Sequence, residues 1–575
     1  MRGRALARGA LRRTAPLLRG TRPVFRALDN AGATGAQIAT QVALGPSLLP
    51  RQWWMTAVNV GLSQAYGYVV GEAVAHAGAA VRRAAKVSSD LSPATKRTAR
   101  GVWQAALGVS TARAFLESLR RQREISALAE TEPVHALGQL GGLAAGTAGF
   151  GAALLTARAT RYGARAIKPV IAPVAPKILV PVVSTTIAVA GVAVLSDRLL
   201  IRRTLRRMAV RAKEQNARRA PGRSQPVEPE RSGSTASHET FESLGRHGQV
   251  FVSDGPRAAD ISAVTGKPAM EPVRAYAGFL DGREIEETAK AAARELVRAG
   301  GLERSVVVVM TGTGSGWVQE WNGASVEYLM GGDCAIVSMQ YSYLPSGLAW
   351  VTDRNTARRA GIALFDEVEK EIARLPEDRR PKLFVGGESL GTFGGLAAFS
   401  SVADMLQRAD GGVWIGTPSF TPIWRELDAQ ARKGSPQVLP IIDHGRNVRF
   451  VSRPAELAHG MYGEPYVNWE TPRFVFQQHA NDPVVFWSPE LLWRAPRWIR
   501  EKAGRQVSKA VNWYPWVTFW QIAVDMPRSV TMHGGTAHSY HSELLPTWAA
   551  VLGREVGVDY TDLQKIIRAG LVPGK

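Results

Sequence analysis

Between residues 285 and 477, short apolar runs alternate with longer helical stretches, and this alternation restricts the fold more than any other feature of the chain. Ile285–Ala299 reads as an amphipathic helix. Ser305–Met310 contains four consecutive valines and ends at a Gly-rich turn. Cys334–Met339 reads as a second strand and Asn355–Ala373 as a helix. Lys382–Val385 is a short buried strand, followed by small residues and a helix to about Ser401, and Gly411–Ile415 and Arg473–Gln477 add two more strands. Strands separated by helices of roughly 10–20 residues imply a mostly parallel, doubly wound sheet covered on both faces. In such a sheet, chemistry collects at the C-terminal ends of the strands.

One strand end carries a specific signal. Gly387-Glu388-Ser389-Leu390-Gly391 follows Leu383–Val385 and matches G-x-S-x-G. That pattern places Ser389 on a sharp strand-to-helix turn, where glycines two before and two after remove side chains that would clash. The helix N-terminus then aims its amides at a developing oxyanion. Thr311-Gly312-Thr313-Gly314-Ser315-Gly316-Trp317 matches neither a phosphate loop nor the full dinucleotide fingerprint. It reads as an oxyanion loop: one donor is the Leu390 amide, and the second comes from the loop, near Thr313 or Gly314.

A triad on this fold runs in the order Ser, acid, His. Asp482 follows the strand Arg473–Gln477 directly and precedes a proline, which makes it the expected acid, ahead of Asp443 and Asp525. The histidines after it are His533, His538 and His541, in a Gly-containing segment before the helix Glu543–Leu552. His538 is the expected base, His541 the alternative and His533 third. His479 reads as a structural hydrogen-bonding partner. The nulls are a Gly-rich loop with an incidental serine and three surface histidines.

The first 245 residues have a different character. The chain has 71 Lys+Arg and a net charge of +22, and the whole excess falls in residues 1–245; the remainder balances 36 basic against 36 acidic residues. Four uncharged stretches fall between the arginines: Asn30–Pro50, Gln52–Gly71, Ala136–Ala157 and Ile178–Leu195. Each approaches the roughly 20 residues that a bilayer core requires. Gly138, Gly142 and Gly146 stand four apart, a spacing that lets helices approach closely. Basic residues crowd the stretch ends, and Trp53 and Trp54 sit beside Arg51 as interfacial aromatics would.

Met1–Arg26, with eight arginines and no acid, lacks the apolar core of a signal peptide and reads as a cytoplasmic arm. Four spans place 28 basic residues inside and 6 outside, which favours a cytoplasmic C-terminal part; a fifth span at Gly101–Ala112 would make this 19 against 15. The expected organisation is an all-α membrane region over 1–213, a flexible linker over 214–246 and an α/β domain over 247–575. The linker rests on composition, with Arg-Ser-Gly-Ser-Thr-Ala-Ser at 231–237. The soluble alternative is a helical bundle rich in Ala and Gly. One cysteine, Cys334, excludes an internal disulfide or a multi-Cys metal site.

Several pieces together resemble the two-part actinobacterial alpha/beta-hydrolase family, in which a multi-span N-terminal region precedes a serine-hydrolase domain. They are Ser-Leu-Leu-Pro-Arg at 47–51, Thr-Gly-Thr-Gly-Ser-Gly-Trp-Val at 311–318 and Gln-Tyr-Ser-Tyr-Leu-Pro-Ser at 340–346. Gly-Glu-Ser-Leu-Gly at 387–391, Asn-Asp-Pro-Val at 481–484 and His-Ser-Tyr at 538–540 complete them. The resemblance implies a serine-hydrolase triad and membrane attachment. It departs at Ala537-His538, where Gly-His is expected.

The expected activity is acyl-enzyme chemistry on a lipidic or acyl-chain ester, with no metal or organic cofactor. The expected partner is a lipid bilayer and not nucleic acid. Acyl transfer to a hydroxyl and a catalytically silent membrane protein are the alternatives. The segment from Ile415 to Arg473 is expected to help form a cap over the pocket, with Trp513, Trp516 and Trp520 as apolar surface nearby.

Overall fold

In a computed structural model, the structure describes residues 31–85, 92–173, 179–198, 202–344 and 354–571, with positions 176, 347 and 349. The basic arm Met1–Arg26 lies outside the described residues. The chain divides into two compact units. One runs to Val192 and takes in Pro489–Arg500 and Val507–Pro527. The other comprises Ala193–Ser488, Glu501–Gln506 and the chain from Arg528.

The second unit is built on seven strands: β1 Val273–Ala277, β2 Val306–Thr311, β3 Cys334–Met339, β4 Lys382–Glu388, β5 Gly411–Ile415, β6 Val448–Val451 and β7 Arg473–Gln477. Their order is β1-β3-β2-β4-β5-β7-β6, and every neighbouring pair is parallel. The expected strands at β3, β5 and β7 have the observed bounds. β1 and β6, the two edges, were not anticipated. Each holds an arginine where an apolar residue is the usual signal: Arg274 and Arg449, both buried. Because β6 lies between Ile415 and Arg473, that segment supplies part of the sheet.

The stretch 214–246 is packed rather than flexible. Residues 230–232 run beside β1, with Arg274 N donating to Glu230 O and Ser232 N to Arg274 O. Arg231 is fully buried and donates to the carbonyls of Val252, Asp254 and Pro256. Ser232, Ser237 and the His238 amide all donate to the buried Glu295 carboxylate. The short polar residues that read as a linker instead spend their hydrogen bonds on one buried acid.

In the first unit the helices are α1 Ala31–Ala43, α2 Trp53–Ala84, α3 Pro93–Leu128 and α4 Ala136–Ile171; α5, Val180–Ser196, leads out of it. The small-residue spacing has a direct use here. A Cβ on Gly142 would lie 2.4 Å from Trp53 O, and one on Gly146 2.5 Å from Ala57 O, so α2 and α4 meet backbone to backbone. Of the first expected span, Ala31–Ala43 is helix among the described residues, which begin at Ala31. Among the described residues one helix, α4, is long and apolar enough to cross a membrane; Val183–Val194 is apolar but shorter.

The interior of this unit is unusually polar. On α2, Thr56, Asn59, Ser63 and Gln64 are buried, while Val69 and Val74 are 65% and 66% exposed. Gln64 donates to Thr40 and Thr147, Asn59 to Ala43 O, and Thr56 to Gln139. Ser-Leu-Leu-Pro-Arg at 47–51 is held by Asp525, which accepts from Ser47 Oγ and from the Leu48 and Leu49 amides. Trp516 stacks on Tyr66 at 5.7 Å, and Trp513 donates to Leu491 O. Asp525, Trp513, Trp516 and Trp520 thus belong to the helical unit, and Asp525, committed to residues 47–49, is no rival acid.

One buried ion pair carries a stability prediction. Arg274 Nε and Nη2 donate to the two oxygens of Glu327 at 2.6 and 2.7 Å, both residues buried. Removing one partner strands the other charge and costs about 3–5 kcal/mol. Glu327→Leu is therefore expected to lower the urea midpoint of the sheet-containing unit sharply, and adding Arg274→Met is expected to recover most of it. Equal midpoints for the single and double variants would show that a stranded Arg274 charge is not what destabilises the single variant.

Candidate active site

β4 ends at Glu388 and the next helix begins at Leu390, so Ser389 alone turns the chain. Its backbone stands at φ 57°, ψ −118°. A non-glycine residue held there costs about 1–3 kcal/mol and needs its surroundings to enforce it. Ser389 N donates to Ile415 O at 2.9 Å, and Ser389 O accepts from Phe393 N at 3.0 Å. A Cβ at Gly387 would lie 2.9 Å from Gly391 C, and one at Gly391 2.2 Å from Thr311 O. Both glycines are thus steric requirements, and Gly391 brings the elbow against the end of β2.

The loop after β2 closes on itself. Thr313 N donates to Trp317 O at 2.9 Å and Gly316 N to Thr313 O at 2.8 Å. The Thr313 amide, one of the two expected loop donors, is therefore already engaged. Gly314 lies within this turn. Leu390 is the first residue of its helix, where amides have no intrahelical acceptor.

Asp482 lies just past β7 and is fully buried. Oδ1 accepts from Val484 N at 2.8 Å, which fixes the carboxylate as the cap of helix Pro483–Phe486. Oδ2 accepts from His538 Nδ1 at 2.6 Å and from the Tyr540 hydroxyl at 2.7 Å. Since the carboxylate can only accept, Nδ1 carries the proton and Nε2 the lone pair. His538 Nε2 is buried and has no hydrogen-bond partner among the described residues. The ring lies against the end of β5: a Cβ on Gly416 would be 2.4 Å from His538 Cε1. β5 pairs with β4 through Ile415↔Glu388, the strand that leads into Ser389.

The field around this pair has a definite sign. Burial disfavours a charged His538 ring, but the Asp482 carboxylate, the hydrogen bond to it and the Glu388 charge outweigh burial and raise its pKa above the ordinary value. Burial would raise the Asp482 carboxyl; the His538 charge and the hydrogen bonds from His538, Tyr540 and Val484 outweigh that and lower it. Burial, followed by the neighbouring Asp482, pushes the Tyr540 hydroxyl well up, so it remains a donor.

The acid and base loops are tied together by more than this pair. Asn481 Oδ1 accepts from Ala537 N at 2.9 Å, and Asn481 Nδ2 donates to Thr536 Oγ1 at 2.9 Å. His479 Nδ1 lies 2.8 Å from Ala537 O, and its ring stacks on Tyr540 at 4.3 Å. Ala537 has φ 53°, a conformation that favours glycine, which gives a physical reason for the expected Gly-His. The other histidines are elsewhere. His541 stacks with Trp321 and approaches Ser539 Oγ, and His533 is exposed. Asp443 is paired with Arg446 at 2.9 Å. Sequence reasoning missed Tyr540 and Asn481, although both lie in the motifs at 538–540 and 481–484.

Two models of known families match the chain. A model described as alpha/beta-hydrolase family matches residues 273–566, and one described as alpha/beta-hydrolase family N-terminus matches residues 44–256. The chain belongs to the alpha/beta-hydrolase family. No curated protein and no solved structure matches it. The N-terminal match covers the packed 214–246 stretch, and the alpha/beta-hydrolase match begins at β1 and includes Ser389, Asp482 and His538. Among the described residues of this alpha/beta-hydrolase family member, no group of three or more His, Cys, Asp or Glu could hold a metal ion.

The Asp482–His538 pair makes a titration prediction. Asp482→Asn removes the largest effects that raise His538 and leaves only the Glu388 charge against burial, so the His538 pKa is expected to fall. The raised pKa of the parent means that His538 adds stability below about pH 6.5, and this is lost as pH rises through its folded value. The lowered Asp482 adds stability above the ordinary carboxylate pKa, and this is lost as pH falls through its folded value. NMR of Cε1-labelled histidine reads the first effect directly; an unchanged His538 midpoint in Asp482→Asn would remove Asp482 as its partner.

Proposed function

We propose that this alpha/beta-hydrolase is a membrane-attached serine hydrolase that cleaves lipidic or acyl-chain esters through a Ser389–Asp482–His538 triad. The observation that carries the reading is the buried His538 whose Nδ1 is held by Asp482 while Nε2 is left as an unpaired acceptor. It lies against the strand end beside a serine strained into a nucleophile turn. A base oriented in one tautomer and a nucleophile with a forced backbone are what acyl transfer requires.

In this reading His538 Nε2 takes the Ser389 hydroxyl proton as Oγ attacks the ester carbonyl carbon. The oxyanion that forms is stabilised by the Leu390 amide and an amide of the 311–317 loop, with Gly314 favoured because Thr313 is engaged. The C–O bond to the leaving alcohol breaks, and His538 returns the proton to that alcohol. Water then attacks the acyl-enzyme by the same steps in reverse. Asp482 holds the imidazole and stabilises its charge without taking the proton. Tyr540 and the Val484 amide keep that carboxylate ionised and aimed.

Membrane attachment is supported by the helical unit. Its buried residues include glutamines, asparagine and serines, while valines and leucines face outward; Leu137 on α4 is 83% exposed. Polar inside and apolar outside is the pattern of helices in a lipid environment.

Fluorophosphonate labelling followed by peptide mapping tests the triad. The full chain is expected to be labelled at Ser389 and to hydrolyse p-nitrophenyl esters. Ser389→Ala is expected to lose labelling and to lower kcat on the order of 10⁶-fold, and Asp482→Asn on the order of 10⁴-fold. Because His538 must be neutral to act as base, kcat/KM of the parent is expected to rise with pH through a midpoint above about 6.5. Unchanged turnover in Ser389→Ala would overturn the reading.

A further inference from the structure

A cavity lined by none of the triad residues adjoins the helix Arg202–Ala217. Its volume is about 610 Å³, and its walls include Ala209, Val210, Phe279, Ile285, Tyr341 and Leu344. That size suits an organic ligand, and such a lining suits an apolar one. The Tyr341 hydroxyl is buried and has no hydrogen-bond partner among the described residues. Glu284, the acid in the wall, lies 3.8 Å from Arg359 Nη2 and is thereby offset.

The rim has the opposite chemistry. Lys213 lines the cavity from the same helix and pairs with Asp281. Arg206 stands three and four residues before Ala209 and Val210, and Arg203 three before Arg206. Residues at these spacings share a helix face, so both arginines lie on the cavity side. Each is exposed, and neither makes an ion pair among the described residues. Arg202, next to them, is occupied by Asp197 at 2.5 Å. Val210 itself is 51% exposed, so an apolar wall opens to the surface on the helix that carries both arginines. In the chain this helix follows the apolar helix Val180–Ser196.

We propose that this cavity and the Arg203/Arg206 face form a binding site for an anionic glycerophospholipid, with an acyl chain in the cavity and the phosphate on the two arginines. Charge complementarity selects an acidic headgroup, and the apolar wall beneath it selects a lipid over a free phosphate. The site does not depend on turnover at Ser389, so its test is made in the Ser389→Ala full chain, where a substrate cannot be consumed.

The detergent-solubilised protein is mixed with equal dipalmitoyl phosphatidylglycerol and phosphatidylcholine, and retained lipid is counted by native mass spectrometry. Retention of phosphatidylglycerol over phosphatidylcholine is expected. Each basic residue at an anionic headgroup contributes about a fivefold preference, so Arg203→Gln with Arg206→Gln is expected to lower it about thirtyfold. Arg207→Gln with Arg211→Gln, on another face of the helix, is expected to leave it unchanged. Val210→Gln is expected to weaken dipalmitoyl retention while leaving dioctanoyl retention intact, because the longer chain depends more on the wall.

Equal retention of the two lipids by the parent, or an unchanged preference in the Arg203/Arg206 variant, would overturn the site. Equal sensitivity of both chain lengths to Val210→Gln would overturn the chain's place in the cavity. Displacement by excess glycerol 3-phosphate at concentrations comparable to the lipid would make the ligand a soluble phosphate, and that also overturns the proposal.

Discussion

An ionised carboxylate taken out of water must find hydrogen bonds or lose its charge, and Asp482 is fully buried. Its two oxygens accept from Val484 N, His538 and Tyr540. Those donors come from two separate loops at one end of the sheet. The requirement that a buried charge be satisfied therefore draws the 479–485 and 536–540 segments together, and Asn481 and His479 repeat the connection through the backbone of Ala537. The orientation of His538 is a by-product of satisfying Asp482. Ser389 and Ala537 both stand at positive φ, Ser389 held by its amide on Ile415 O and Ala537 by Asn481 and His479.

The chain between these two loops has an unexpected destination. After Asp482 it enters the helical unit at Pro489–Arg500, returns for Glu501–Gln506, and enters again at Val507–Pro527 before reaching His538. Asp525, near the end of that excursion, accepts three hydrogen bonds from residues 47–49. The two units are thus interleaved in sequence: the acid and base segments are the points where the chain leaves and re-enters the sheet-containing unit. A fold of this kind cannot be cut at a single boundary, and the sequence motif at 47–51 is held in part by a residue far along the chain.

The parts of the fold that were legible in sequence are those where burial and composition agree. β3, β5 and β7 are interior strands made of residues that belong inside. The edge strands β1 and β6 were hidden because Arg274 and Arg449 break the apolar pattern, although both side chains are buried and fully engaged: Arg274 with Glu327, Arg449 with the carbonyls of Gly445, Leu457 and Val467. The 231–237 stretch failed for the same reason in reverse. Serines and an arginine look like solvent-facing residues until Glu295 and three carbonyls supply the partners. At the site, the elbow was legible because its glycines have a steric cause at fixed spacing. Tyr540 was not, because a tyrosine two residues past a histidine has many ordinary uses, and only the folded geometry brings its hydroxyl to Asp482.

Counting charges located the helical unit but did not separate the two faces of its helices, and the reason is physical. An uncharged stretch is not an apolar one. Asn59, Ser63 and Gln64 lower the average hydropathy of α2, yet they are buried, and the residues that face outward along the same helix are Val58, Val69, Val70 and Val74. A window average mixes the two faces, so a helix with a polar interior and an apolar exterior scores as amphipathic when only one of those faces meets the surroundings. The polar face is not surplus: Gln64 alone joins α1 and α4 through Thr40 and Thr147. Backbones touch at Gly142 and Gly146, and Val60 and Leu143 join an apolar cluster around Ala43 and Leu44. Apolar packing of this kind tolerates sliding, whereas a hydrogen bond fixes one register, so Thr56, Asn59 and Gln64 add specificity to contacts that the small and apolar residues make possible.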